Sequence, residues 1–338
     1  MRALLFAPLL LLLPGCFTAR YLTQAAVGQA QLIGSGRPLS SVVKNPKTPP
    51  HVQRLLGRVP AMKAFGEKRG LKPTENYGRY SDLHRGAAVW VVQACKPLKF
   101  EPLRWSFPIA GTVPYLGFFD EGAARAYAET LKAGEELDVD VRGAGAYSTL
   151  GWFKDPVLST MIGDGPDALG WLTNTVLHES VHATLYIPGQ SSFNESLASF
   201  VADKLTAEWL AQPGNAKPGE AKAYSDAFAA GTQRVKRLHR AYEELDALYG
   251  SSVSDDEKRA KKAELLAELK SDLKTKRNFN NAALAGYRTY DTGGPAFERL
   301  LERCGNDLGE LMKRVGTLEG SSFPEPQMED FSPVIDGL

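Results

Sequence analysis

The chain has 338 residues, enough for one large domain or two ordinary ones, and 43% of them are hydrophobic, enough to fill a core. Forty basic residues against thirty-nine acidic leave a formal net charge of +1. That balance argues against a protein that holds nucleic acid or a membrane surface by bulk electrostatics, so any partner has to be read from a site.

In chain order, Arg2 supplies a minimal positive n-region, and Ala3 to Leu13 form an apolar stretch too short to span a bilayer. It ends in Leu13-Pro14-Gly15-Cys16, which resembles the lipobox of bacterial lipoproteins, although proline at its second position is not the usual small residue. The expected arrangement is a signal peptide over residues 1–15, cut so that Cys16 becomes the lipidated first residue. An ordinary secretory signal is the alternative, and both export the chain. No later segment is apolar enough to cross a membrane, so attachment is expected through lipid on Cys16, on the outer membrane facing the periplasm rather than the inner membrane. Cys95 and Cys304 stand open between one disulfide closing a long loop and two buried thiols.

Residues 20–44 read as a leading helix, broken by Pro46, Pro49 and Pro50, and a second helix runs from His51 to Arg69 and stops at Gly70. From Tyr77 the character changes. "AAVWVVQAC" and "LRWSFPIAGTVPYLGFF" read as strands, the second with a turn around Ala110-Gly111. "EGAARAYAETLKAG" reads as a helix, and "LDVDVRGAGAYSTLGWF" returns to strand. Residues 77–153 thus look like a small, mostly antiparallel sheet with one helix, an α+β layout. Asp164 then opens a helix as its N-cap, with Pro166 near the first turn, running through "HESVHATLYI" to Pro188-Gly189; another starts near Ser192 or Asn194. Residues 219–276 form a long helical hairpin interrupted at Gly250-Ser251-Ser252, and its alternating charges read as a solvated face before a partner-binding patch. The tail after Phe323 reads as irregular. The expected division is an N-terminal helical segment (16–76), a catalytic core (77–205), the hairpin (206–277) and a C-terminal segment completing the site (278–338).

The chemistry concentrates at His178-Glu179-Ser180-Val181-His182, an H-E-x-x-H motif. Residues four apart on a helix differ by about 40° in azimuth, so both imidazoles lie on one face and can share a metal ion. Glu179 is then placed as a base for a metal-activated water without being a ligand itself. A third protein ligand is needed, and Glu195, thirteen residues after His182 across a short turn, is the best candidate. His51, His84 and His239 compete poorly. The expected ion is Zn2+.

Around these residues the sequence resembles a family of bacterial lipoproteins described as zinc aminopeptidases, within the gluzincin group of metallopeptidases. "YLTQAAVGQ", "FPIAGTVPYLGFF", "AYSTLGWFKDP", "HESVHATLY", "FNESLASFV" and "FNNAALAGYRTYDTGGPAF" carry the resemblance, in the family's order. It implies a zincin-like α+β fold, with His178, His182 and Glu195 as zinc ligands and Glu179 as catalytic base. Asn194 accompanies Glu195 in the family's Asn-Glu pair, positioning backbone or substrate. Ala146, Tyr147, Ser148 and Thr149 would belong to an edge strand that pairs with an extended peptide, or to ordinary sheet packing. Tyr290, ten residues after Asn280, would stabilise the oxyanion, or anchor the last helix. Three departures stand out. Tyr115-Leu116-Gly117-Phe118-Phe119 lacks the arginine of the family's Tyr-Arg-Gly-Tyr-Phe, and Ser199 replaces the aspartate that often follows the third ligand, leaving Asp203 a turn further on. "GAGAYST" also lacks the glutamate that binds an α-ammonium in the well-known aminopeptidase edge strand. The expected function is a zinc peptidase acting on a peptide substrate, an aminopeptidase by resemblance. An endopeptidase, a cell-wall peptide amidase and a zinc-binding scaffold that meets a protein partner through the hairpin are the alternatives.

Overall fold

The computed structural model describes residues 15–107, 111–146, 154–288 and 293–338. Helix α1 (Gly15–Gly34) is followed by a two-residue strand β1 (Arg37–Pro38) and a short helix α2 (Leu39–Lys44). The leading helix expected over 20–44 is therefore broken in two. Gly34, Gly36 and Pro38 fall within five positions, where glycine entropy and the locked proline φ both oppose helix. Helix α3 (Pro50–Glu67) matches its expectation closely, with Pro50 in the first turn and Gly70 left-handed at φ 94° beyond its end.

The β-rich segment contributes β2 (Arg79–Ser81), β3 (Val89–Cys95), β4 (Trp105–Phe107), β5 (Gly111–Val113), β6 (Leu116–Phe118), helix α4 (Glu121–Gly134), β7 (Asp138–Ala144) and β8 (Val157–Leu158). These make three small sheets where the sequence suggested one: β6-β3-β7 and β4-β5, both antiparallel, and β1-β2-β8, whose β2–β8 pair is parallel. β3 is central, and its apolar run suits a strand with a neighbour on each side. One face of β6-β3-β7, carrying Val92, Ala94, Leu116, Phe118 and Val139, is covered by Ala124 and Ala128 of α4. Asp120 caps α4, its carboxylate accepting from the Ala123 N–H at 2.7 Å.

The largest core lies among helices. Helix α5 (Ala168–Thr184) buries residues on nearly every side, including Leu169, Leu172, Val176, Leu177 and Val181, as a central helix must. It packs on α3 and on α6 (Ser191–Ala211), whose Phe193, Leu197, Val201 and Leu205 are fully buried. The expected start at Asp164 is corrected: the helix begins at Ala168, after a turn. Asp164 is solvent-exposed and pairs with His51 at 2.9 Å, while Asp167 at the helix start accepts from Trp171 Nε1 at 2.9 Å. The helix also stops at Thr184, short of Pro188.

The expected hairpin is present as α7 (Glu220–Gly250) and α8 (Asp255–Asp272). It buries Leu238, Leu245 and Leu269 with Phe279 and Leu284, the latter in the short α9 (Asn281–Leu284), to form a second, smaller core. Charged contacts tie it to the sheet: Arg259 to Glu136 at 2.6 Å and Lys262 to Asp138 at 2.5 Å. Helices α10 (Gly294–Arg303), α11 (Leu308–Val315) and α12 (Ser332–Asp336) complete the main core. The tail after Phe323 is thus not irregular throughout. Phe331 is fully buried, its ring 5.5 Å from Phe193 and 5.8 Å from Phe297. Cys95 and Cys304 are free buried thiols. Among the described residues no helix is long and apolar enough to cross a membrane. The α+β class is as expected.

Candidate metal centre

The H-E-x-x-H segment lies in the last turns of α5, and Glu195 lies in the first turns of α6. The connection between the two helices is held shut by Asn194. Its amide Nδ2 donates to the Ile187 carbonyl at 2.8 Å, and its Oδ1 accepts from the Ile187 N–H at 2.9 Å. Asn194 is only 2% exposed. Both ends of its amide are engaged with the Ile187 backbone. Gly189 takes the left-handed φ of 79° that closes the turn. The tail braces the turn from outside: Gln190 Nε2 donates to the Glu325 carbonyl at 2.8 Å, and the Met328 N–H donates to Gln190 Oε1 at 3.1 Å.

This fold-back brings three donors together. His178 Nε2 and His182 Nε2 are 3.1 Å apart, and Glu195 reaches them with Oε2 at 3.4 Å and Oε1 at 3.5 Å respectively. The two imidazole planes stand at 85° to each other. His178, His182 and Glu195 each offer a ligand atom within 4.8 Å of the others. His182 is buried and His178 mostly so, while the Glu195 side chain is 65% exposed, leaving one side open to a substrate. Two imidazole nitrogens and one carboxylate, with an open side, fit a catalytic zinc site. Glu179 Oε2 is buried and has no hydrogen-bond partner among the described residues. His182 Nδ1 is likewise buried without one, so no carboxylate there orients that ring.

The electrostatics are those of a tightly coupled pair. Burial disfavours a charged His178, but the hydrogen bond to Glu195 and the charges of Glu179, Glu195 and Asp203 outweigh it and raise the imidazole above its ordinary pKa. Burial acts to raise the Glu195 carboxyl, yet its hydrogen bonds to both histidines hold it far below the carboxylate range. Asp203, on the next turns of α6, also accepts from Asn174 Nδ2 at 2.8 Å. Its charge also acts on His178.

Three tyrosines join the site that sequence reasoning passed over. Tyr77 is buried in the left-handed region at φ 61°, a strained conformation for a non-glycine residue; burial and then the Glu179 charge push its phenol well up. Tyr186, two residues beyond the end of α5, sets its ring edge-on to His182 with centroids 6.2 Å apart. Tyr115 is 49% exposed, yet its hydroxyl is desolvated and lies in the field of Glu195. Of the other expected site residues, Ala146 follows β7 and is half-buried, whereas Tyr147, Ser148, Thr149 and Tyr290 lie outside the described residues. For Cys16 only the backbone, in α1, is described.

Fold and site together define an α+β protein with a His-His-Glu cluster, able to hold a metal ion, on two adjoining helices. A family model described as "Putative aminopeptidase" matches residues 20–328, and the chain belongs to that family. The search of curated proteins found no match, and the search of solved structures found none.

Proposed function

We propose that the chain is a zinc-dependent peptidase, acting as an aminopeptidase, with His178, His182 and Glu195 holding the metal and Glu179 as general base. The observation that carries this reading is the convergence of three ligand atoms within 4.8 Å beside a half-buried glutamate whose Oε2 is buried without a hydrogen-bond partner among the described residues. When bound, zinc polarises a carbonyl oxygen and lowers the pKa of water toward about 7. Glu179 takes the proton of the attacking water and passes it to the leaving amine, so the same carboxylate serves as base and then as acid. Family membership supports peptide hydrolysis and removal of N-terminal residues in particular.

The reading extends to location. The lipobox-like Leu13-Pro14-Gly15-Cys16 supports export and a lipid anchor on Cys16.

The test is mass spectrometry of a mixed peptide library incubated with the zinc-loaded chain, beside Glu179→Gln. Removing the base should lower kcat by about 10²- to 10⁴-fold with zinc content by elemental analysis unchanged. N-terminal trimming supports an aminopeptidase and internal cuts an endopeptidase. Equal turnover by both proteins, with zinc bound, would overturn the assignment of Glu179.

A further inference from the structure

His182 is the most deeply buried of the three ligand residues, its side chain 3% exposed. Its Nε2 lies 3.1 Å from His178 Nε2 and 3.5 Å from Glu195 Oε1, so Nε2 is the nitrogen turned to the shared site. In the neutral imidazole that a metal takes, Nδ1 then carries the proton. That Nδ1 is buried and meets no hydrogen-bond partner among the described residues. A metal-binding imidazole ordinarily donates this N–H to a carboxylate or a backbone carbonyl, which fixes the ring about its last torsion. The torsion is otherwise broad and roughly two-fold, so a ring without that bond turns easily away from its metal.

Among the described residues, two rings meet the His182 imidazole. His178 stands at 85° to it with centroids 4.8 Å apart, and Tyr186 at 73° with centroids 6.2 Å apart, both edge-on. His178 is itself a ligand with its own torsion to settle, so Tyr186 is the contact from outside the ligand set. Its backbone is held on both sides. Before it, the Leu185 N–H donates to the Val181 carbonyl at 2.8 Å, and Leu185 leaves the helix in an extended conformation, φ −141° and ψ 123°. After it, the N–H and the carbonyl of Ile187 are both bound by the Asn194 amide. Tyr186 therefore cannot follow a turning imidazole, and its ring has only two torsions of its own.

We propose that Tyr186 is a positioning residue of the metal centre: its ring stops the His182 imidazole from turning, and so takes the place of the hydrogen bond that Nδ1 does not make among the described residues. The contact belongs to the ring and not to the hydroxyl, because an edge-on aromatic pair is held by ring quadrupole and close packing. This inference rests on the metal-binding part of the function proposed above and adds to it the residue that keeps one ligand in place.

The zinc affinity of the full chain, measured by competition with a chelating dye, tests it without reference to peptide cleavage. Tyr186→Phe keeps the ring and should bind zinc as wild type does. Tyr186→Leu keeps apolar bulk without the ring and should bind about 3- to 10-fold more weakly, the range of one aromatic pair. Two backgrounds separate this from a general loosening of the turn that carries Glu195. With His182→Ala, Tyr186→Leu should change zinc affinity no further; with Glu195→Ala, it should still weaken binding about 3- to 10-fold. A Tyr186→Leu chain that binds zinc like wild type overturns the proposal, as does a Tyr186→Phe chain that loses as much as Tyr186→Leu. So does an effect that survives His182→Ala and vanishes with Glu195→Ala, because Tyr186 would then act through the turn. A wild-type chain that binds no zinc overturns the metal centre and the proposal with it. The expected pattern of affinities without any peptide cleavage would support the role of Tyr186 while the peptidase reading fails.

Discussion

Gly170 sits in α5, eight residues before His178, where Tyr224 of α7 lies flat against the helix backbone. A Cβ added at Gly170 would come within 2.3 Å of Tyr224 Cγ and 2.5 Å of its Cβ. These are atoms near the root of the side chain, so rotating the ring does not relieve the clash, and one helix must move. Two terms compete in Gly170→Ala. Replacing a glycine inside a helix gains about 0.5–1 kcal/mol. Overpacking a tight contact costs about 1–3 kcal/mol, and backbone displacement places this case in the upper half. The net expectation is a loss of about 1–2 kcal/mol, or roughly 1.5–3 °C in Tm for a chain of this size. Gly231→Ala in α7 is the control, because a Cβ there meets nothing within 4 Å. It should gain about 0.5–1 kcal/mol, or roughly 1–2 °C. Thermal unfolding of the metal-free proteins, followed by circular dichroism, measures both. Tyr224 also neighbours Asn174 and Asp203, and the Asp203 charge acts on His178. Zinc affinity should therefore fall in Gly170→Ala and not in Gly231→Ala. A Gly170→Ala chain as stable as Gly231→Ala would refute the packing argument.

Two further outcomes follow from the site. Without metal, the raised His178 pKa contributes stability that is present below about 6.5 and lost as pH rises through the folded value; the depressed Glu195 pKa contributes stability present above about 4.5 and lost on acidification. Zinc needs neutral imidazoles, so its stabilisation grows with pH, reaching about 4 kcal/mol at a thousandfold excess over Kd. The zinc-induced rise in Tm should widen between about pH 5.5 and 8, and a constant difference would argue against these ligands. Phe331→Ala should cost about 3–5 kcal/mol, because the ring is fully buried against Phe193, two residues before Glu195. Denaturant unfolding measures the loss; a change under 1 kcal/mol would mean that the tail does not brace the site.

Features with a local cause were legible in the sequence. The prolines that separate the first helices, the end of α4 at Gly134 and the Gly250-Ser251 break between α7 and α8 each act within a few residues, and α3, α4 and the hairpin break stand within two residues of where they were expected. H-E-x-x-H is local in the same sense, since helical pitch alone brings both imidazoles to one face. Other features depended on contacts between distant segments. The β1–β2 pairing that draws residues 37–38 out of helix joins positions some forty residues apart. Phe331 and Gln327 resemble loop residues until Phe193 and the turn around Gly189 are in place. Tyr77 and Tyr115 precede the motif by many residues and carry no spacing signal, so only the fold brings them near Glu179 and Glu195.

The turn between α5 and α6 explains why so small a part of the chain can hold a metal centre. A helix supplies two imidazoles at fixed separation, but the third donor has to come from another element, and ordering it costs entropy. Here that cost is met on folding. Asn194 clips the turn to Ile187, Gln190 ties it to residues 325 and 328, and Phe193 anchors the start of α6 in the main core. Glu195 then reaches the histidines from a helix that cannot rotate without breaking all three attachments. The β6-β3-β7 sheet packs under α4 in a core of its own, separate from the one that holds Phe193. Changes in the turn should therefore appear first as lost metal affinity, and changes confined to the α4 core should leave metal affinity unchanged.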